Sequence, residues 1–208
     1  MKKNVKNGLV NYEGIKSNPT ELNNLVSQIS TMKLTEKQGN THKAFYINAY
    51  NILVIKGIVN NLPTNSPLDT DGFFDKKKYK IANEFLVLND IENKKIRAVY
   101  HDARIHFVLV CAAKGCPLIM NYAYMPSQLD KQLESRTKQT LNDNSFVRIK
   151  SNVKTVLISE IFKWYKADFT TGGKTIIMYL NQYRTTTTKI SEKYKQDYYP
   201  YNWKLNKQ

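Results

Sequence analysis

From Thr41 to Asn60 the chain reads Thr-His-Lys-Ala-Phe-Tyr-Ile-Asn-Ala-Tyr-Asn-Ile-Leu-Val-Ile-Lys-Gly-Ile-Val-Asn, which is apolar almost all round. A helix without a polar face must be covered on every side, so this run predicts a buried central helix with the other elements wrapped around it. Its exceptions are Asn48 and Asn51, three residues apart on one face. A buried amide needs hydrogen-bond partners, so the pair either points into a site or bridges backbone groups of neighbouring segments.

The 208 residues fit one domain, large enough to bury such a helix without disulfides. Asn18, Pro19 and Glu21 predict a helix start, followed by the apolar face Leu22, Leu25, Val26 and Ile29. Residues 61–78, with Pro63, Pro67 and Gly72, read as a long surface loop. Tyr79 to Leu88 predicts a short hairpin, and Asn89 with Glu92 has capping-box spacing for a short helix. The aliphatic run Arg104 to Ala112 predicts a strand buried on both faces.

After a Lys114-Gly115-Cys116-Pro117 turn, Pro126 opens a helix carrying Leu129, Leu133 and Leu141. Phe146 to Ile158 predicts a hairpin turning at Ser151-Asn152, after which Ser159 caps a short helix with Phe162, Trp164 and Tyr165, aromatics assigned to the core. Gly172-Gly173 breaks the chain before a helix with Ile176, Ile177 and Leu180, and Tyr198 to Leu205 ends the fold as a strand or extended tail. Without regular βαβ spacing these elements predict an α+β class: a single domain with a small mixed or antiparallel sheet packed on the buried central helix.

The net charge of +15, from 32 basic and 17 acidic residues, favours anionic partners. Yet nearly all the cations are scattered lysines; the five arginines are Arg97, Arg104, Arg136, Arg148 and Arg184, and nothing resembles a nucleic-acid-binding motif. Nucleic acid is therefore not the expected partner; an unidentified peptide or small molecule is. No apolar run suffices for a transmembrane segment, and the N-terminus lacks the apolar region of a signal peptide.

His106 and Cys116 carry the clearest chemistry. A thiolate paired with an imidazole serves acyl transfer and peptide-type hydrolysis, because the ring stabilises the thiolate and then protonates a leaving group. Against it stands the plainer view of a backbone-bonded core histidine and a small turn residue. Glu92 fits either an orienting or acid–base role or simply a helix cap. Cys111, alternating inward on the expected strand, reads as packing; His42 and His101 show no partner. No metal site or cofactor is expected: no second His or carboxylate completes a ligand set, and Gly172-Gly173-Lys174-Thr175 lacks the first phosphate-loop glycine because Asp168 stands there.

Lys43 to Asn51, Leu86 to Glu92, Asp102 to Cys111, Gly115-Cys116-Pro117, Ile161 to Phe169 and Tyr201 to Asn206 together resemble the proteins grouped as domain of unknown function 547. The resemblance spans about 5–206 as one domain, leaving 1–4 as a tail with Met1 an added start. Together with the His/Cys pair it implies a cysteine-protease-like or transglutaminase-like site with Cys116 as nucleophile, His106 as base and Glu92 or Asn48 as orienting group, and with Asn48, Asn51 and Arg104 as substrate-binding candidates. The family often has His directly after the glutamate, where this chain has Asn93. Bacterial members often carry a leader, which implies export to the periplasm or cell envelope; without one, the cytoplasm is expected.

Overall fold

The computed structural model describes residues 2–186 and 189–208; Met1, part of the expected tail, lies outside them. A small hairpin, β1 (Val5–Lys6) with β2 (Leu9–Val10), leads into α1 (Tyr12–Ser17) and α2 (Thr20–Thr31). The central helix α3 runs Asn40–Asn60, with Ile47, Leu53, Val54 and Ile58 fully buried, and packs on α1 and α2 as its uniform apolarity requires. Among the described residues no helix is long and apolar enough to cross a membrane.

The 61–78 loop holds one 3-10 turn, Pro67–Asp69, and ends at the hairpin β3 (Tyr79–Ile81) with β4 (Glu84–Leu86), which packs on α2. A continuous helical stretch follows: α4 (Leu88–Asp90), a π-helical segment Ile91–Arg97, and α5 (Ala98–Tyr100), closed by His101 in the left-handed region. The expected helix is present, but Glu92 does not cap it. The chain enters helical geometry at Leu88, and Glu92 sits inside the π-turn with its side chain buried. Such i→i+5 turns are recurrent at functional sites.

The predicted strand from Arg104 to Ala112 is absent. The Asp102 carboxylate accepts the Arg104 N–H at 3.0 Å and starts a 3-10 helix, Ala103–Phe107, beyond which the chain continues in irregular form. Burial without a sheet is possible because Asn51 serves the backbone directly. Its Nδ2 donates to the Val108 carbonyl at 2.9 Å, and its Oδ1 accepts the Val110 N–H at 2.9 Å.

Helix α6 (Leu129–Leu141) precedes β5 (Val147–Lys150) and β6 (Thr155–Ser159), which pair antiparallel. Two short helices, α7 (Ile161–Trp164) and α8 (Lys166–Phe169), are followed by α9 (Ile176–Tyr183), capped by Thr175. Strand β7 (Lys195–Tyr199) adds to β6 in parallel, so the three-stranded sheet is mixed. Residues 202–206 then run antiparallel to 112–115: Lys114 donates to the Lys204 carbonyl, Gly115 to that of Asn202 and Asn206 to that of Ala112. This mixture of helices and small sheets is the α+β domain expected from the sequence.

Candidate functional site

The segment after the 3-10 helix turns sharply at Ala112, whose φ of 65° is left-handed. The chain then folds back so that the Cys116 N–H reaches the Ala113 carbonyl at 3.1 Å. Gly115 is needed there: a Cβ would stand 2.8 Å from the Asn202 backbone nitrogen. The turn delivers the Cys116 sulfur to a cavity of about 360 Å³. Tyr50, Glu92, His106, Cys111, Tyr165 and Trp164 also line it, with Tyr201 and Trp203 from the C-terminal segment and Phe74 and Asp75 from the 61–78 loop.

Two groups converge on the Cys116 sulfur: the Cys111 N–H donates to it at 3.1 Å and the Tyr201 hydroxyl lies at 2.9 Å. The same hydroxyl lies 3.0 Å from the Cys111 sulfur. A phenol has one proton to give, and a thiolate is a better acceptor than a thiol, so once Cys116 is ionised the hydroxyl donates to it rather than to Cys111. Burial alone would push both thiols up. At Cys116 the bonds from Cys111, Tyr201 and the Ala113 and Cys111 backbone outweigh burial and bring it below the ordinary thiol value, whereas burial and the neighbouring Cys116 hold Cys111 well above it.

His106 is almost wholly buried and stacks on Tyr165 at 4.0 Å. Its Nε2 is 2.7 Å from Asp168 Oδ2, and its Nδ1 is 3.9 Å from Glu92 Oε1. Asp168 in turn takes a two-pronged contact from Arg97, Nε to Oδ2 at 2.8 Å and Nη2 to Oδ1 at 2.9 Å. Although burial opposes it, His106 and Arg97 hold the Asp168 carboxyl far below the usual carboxylate range. His106 and Cys116 thus face one cavity, but no hydrogen bond joins them; a bound ligand would have to lie between.

Cys111, Trp164 and Tyr165 are corrections to the sequence reading. Cys111 is not strand packing, because the strand does not form, and Trp164 is 46% exposed at the cavity rather than in the core. Of the three aromatics only Phe162 is core. His42 also has a partner, the Tyr100 hydroxyl at 2.8 Å from Nδ1.

Asn48, Asn51 and Arg104 do not open onto the cavity that holds Cys116. Asn48 clamps Tyr124, donating to its carbonyl at 2.8 Å and accepting its N–H at 2.9 Å, and Asn51 clamps residues 108–110. Both border a separate apolar cavity of about 640 Å³ beside Phe45 and Ile52. Arg104 is engaged by Asp102 at 2.9 Å and Asp130 at 2.7 Å.

Asp102 also receives Lys43 at 2.6 Å. Burial raises its carboxyl, but Arg104 and Lys43 prevail and hold it at about 2. A carboxyl lowered on folding stabilises the protein above its unfolded value, near 4, and loses that contribution as pH falls through the folded one. We expect ~2 kcal/mol of stability to vanish between about pH 4 and pH 2 and to be missing at all pH values in Asp102→Asn. Urea midpoints against pH would show it; parallel acid profiles for wild type and variant would refute it.

Sequence reasoning missed Asp168 and Tyr201, although both lie in segments singled out for their resemblance. Both are far along the chain from their partners, and only the fold brings Asp168 to His106 and Tyr201 to the thiols. Among the described residues no group of His, Cys, Asp and Glu is placed to hold a metal ion. A family model described as "Protein of unknown function, DUF547" matches residues 34–141, which include Glu92, His106, Cys111 and Cys116 but neither Asp168 nor Tyr201. No curated protein and no solved structure matches.

Proposed function

The chain belongs to the DUF547 family, and from that membership and the geometry around Cys116 we propose that it is a cysteine-dependent hydrolase or acyl transferase. The observation that carries this reading is the Cys116 sulfur, met by the Cys111 N–H and the Tyr201 hydroxyl in a cavity it shares with a carboxylate-bound histidine. The Cys116 sulfur attacks an acyl carbonyl and forms a thioester, the bond to the leaving nitrogen or oxygen breaks, and His106 supplies its proton. Water or a second nucleophile then gives a proton to His106, takes the acyl group and frees the thiolate. With Nε2 held by Asp168, Nδ1 is the nitrogen that exchanges protons, and Glu92 helps to orient it. The family resemblance suggests the periplasm or cell envelope as the place of action.

A second reading, a non-catalytic module binding a peptide or small ligand, draws support from the missing His106–Cys116 bond: the thiol is satisfied without the imidazole. One experiment separates the two. Cys116 should be alkylated with an apparent pKa below that of a free thiol, about 8.5, while Cys111 stays unreactive at the same pH. Tyr201→Phe, which keeps the ring, should move that value up toward the free-thiol one. Alkylation of the wild type at or above the free-thiol pKa would defeat the catalytic reading and favour the binding module.

A further inference from the structure

Cys116 borders a second cavity, of about 350 Å³, which His106 does not line, and the chemistry there is different. Lys114, Arg136 and Arg148 line it against a single carboxylate, Asp143, whereas no Lys or Arg lines the cavity that holds His106. Arg136 is only 4% exposed, and among the described residues no carboxylate lies within ion-pair distance of it. Its Nη groups bond to the Gln139 side chain and the Leu118 carbonyl, both neutral, and its Nε has no partner. Thr140, buried on the same wall, has a hydroxyl without a partner too. A buried guanidinium with no counter-charge is costly unless something outside the chain supplies one.

We infer that this second cavity is an anion-binding subsite, taking the carboxylate or phosphate group of a ligand whose acyl carbonyl lies at Cys116. The placement of the carbonyl rests on the thiol chemistry proposed above; the anion subsite itself does not. Arg148, laid on the Tyr199 ring at 4.0 Å, and Lys114 stand at the exposed mouth, and Arg136 gives the cavity its fixed positive floor. Asp143, which accepts the Ser145 N–H at 2.7 Å, does not cancel them, since one carboxylate stands against three cations in the lining.

The test uses the whole chain and two probes, inorganic phosphate and succinate, titrated calorimetrically at low salt. Binding of either, weakened with rising salt and roughly tenfold by each of Lys114→Gln and Arg148→Gln, supports the subsite and tells which anion it prefers. These variants sit at the surface, so they avoid the folding risk of changing Arg136. Absence of heat with both probes, or binding unchanged in the double variant, overturns it. A second readout compares iodoacetate with iodoacetamide. A positive cavity beside Cys116 makes the anionic reagent faster relative to the neutral one than it is with glutathione, and phosphate removes that advantage. An equal ratio counts against the subsite. If neither reagent touches Cys116, the thiol chemistry fails while the titration still decides the anion site.

Discussion

If the chain is the cysteine hydrolase proposed above, Asp168→Asn is expected to cut turnover of a peptide anilide by roughly 10³ to 10⁴-fold while leaving a p-nitrophenyl ester much less affected. The reason lies in what the carboxylate does for His106. Asp168 bonds Nε2 at 2.7 Å, which leaves Nδ1 on the side of Glu92, 3.9 Å from its Oε1, and fixes the ring's orientation against Tyr165. An asparagine in its place presents the imidazole with either a neutral oxygen or an amide N–H, the latter forcing the wrong tautomer. It also weakens the hold of Arg97. An anilide leaves only when protonated and so depends on His106, whereas p-nitrophenolate departs unaided. On that reading Asp168 acts as a positioning residue, and the gap between the two substrates would be its signature. Equal losses on both would mean that the residue is merely structural, and no loss on either would remove His106 from the chemistry.

Asn51→Ala should destabilise the fold by about 3 kcal/mol, lowering Tm by roughly 6–12 °C. The side chain is buried and takes one donor and one acceptor from residues that have no sheet to serve them, so its loss strands the Val108 carbonyl and the Val110 N–H away from water. The same clamp fixes residues 108–110, immediately before Cys111, so Cys116 should lose its low alkylation pKa in whatever fraction remains folded. A change under about 1 kcal/mol would mean that water replaces the amide and that the clamp is dispensable.

Much of the fold is legible in residue pattern alone. The central helix, the 79–86 and 147–159 hairpins and the helix after Pro126 follow from period and from turn residues, which act locally. The stretch from Arg104 to Ala112 misleads because its aliphatic content resembles a buried strand, yet what satisfies its backbone is a side chain more than fifty positions earlier. No local pattern reports that. Asn51 could be read as an amide in need of partners, but not as the replacement for a strand neighbour. Likewise Cys116 and His106 stand out by residue type, whereas the groups that tune them, Tyr201 and Asp168, are ordinary until folding puts them in place. The 61–78 loop reads as loop from its prolines; its gift of Phe74 and Asp75 to the cavity does not.

The phenol shared by the two thiols comes from a residue ninety positions beyond Cys111. During synthesis the cysteines therefore leave the ribosome well before Tyr201 exists, and for that interval both behave as ordinary thiols in an unclosed hollow. The hydroxyl reaches the sulfur only once β7 has paired with β6 and carried Tyr201 in behind it. The lowered Cys116 value is therefore a property of the closed fold and not of the 111–116 turn alone.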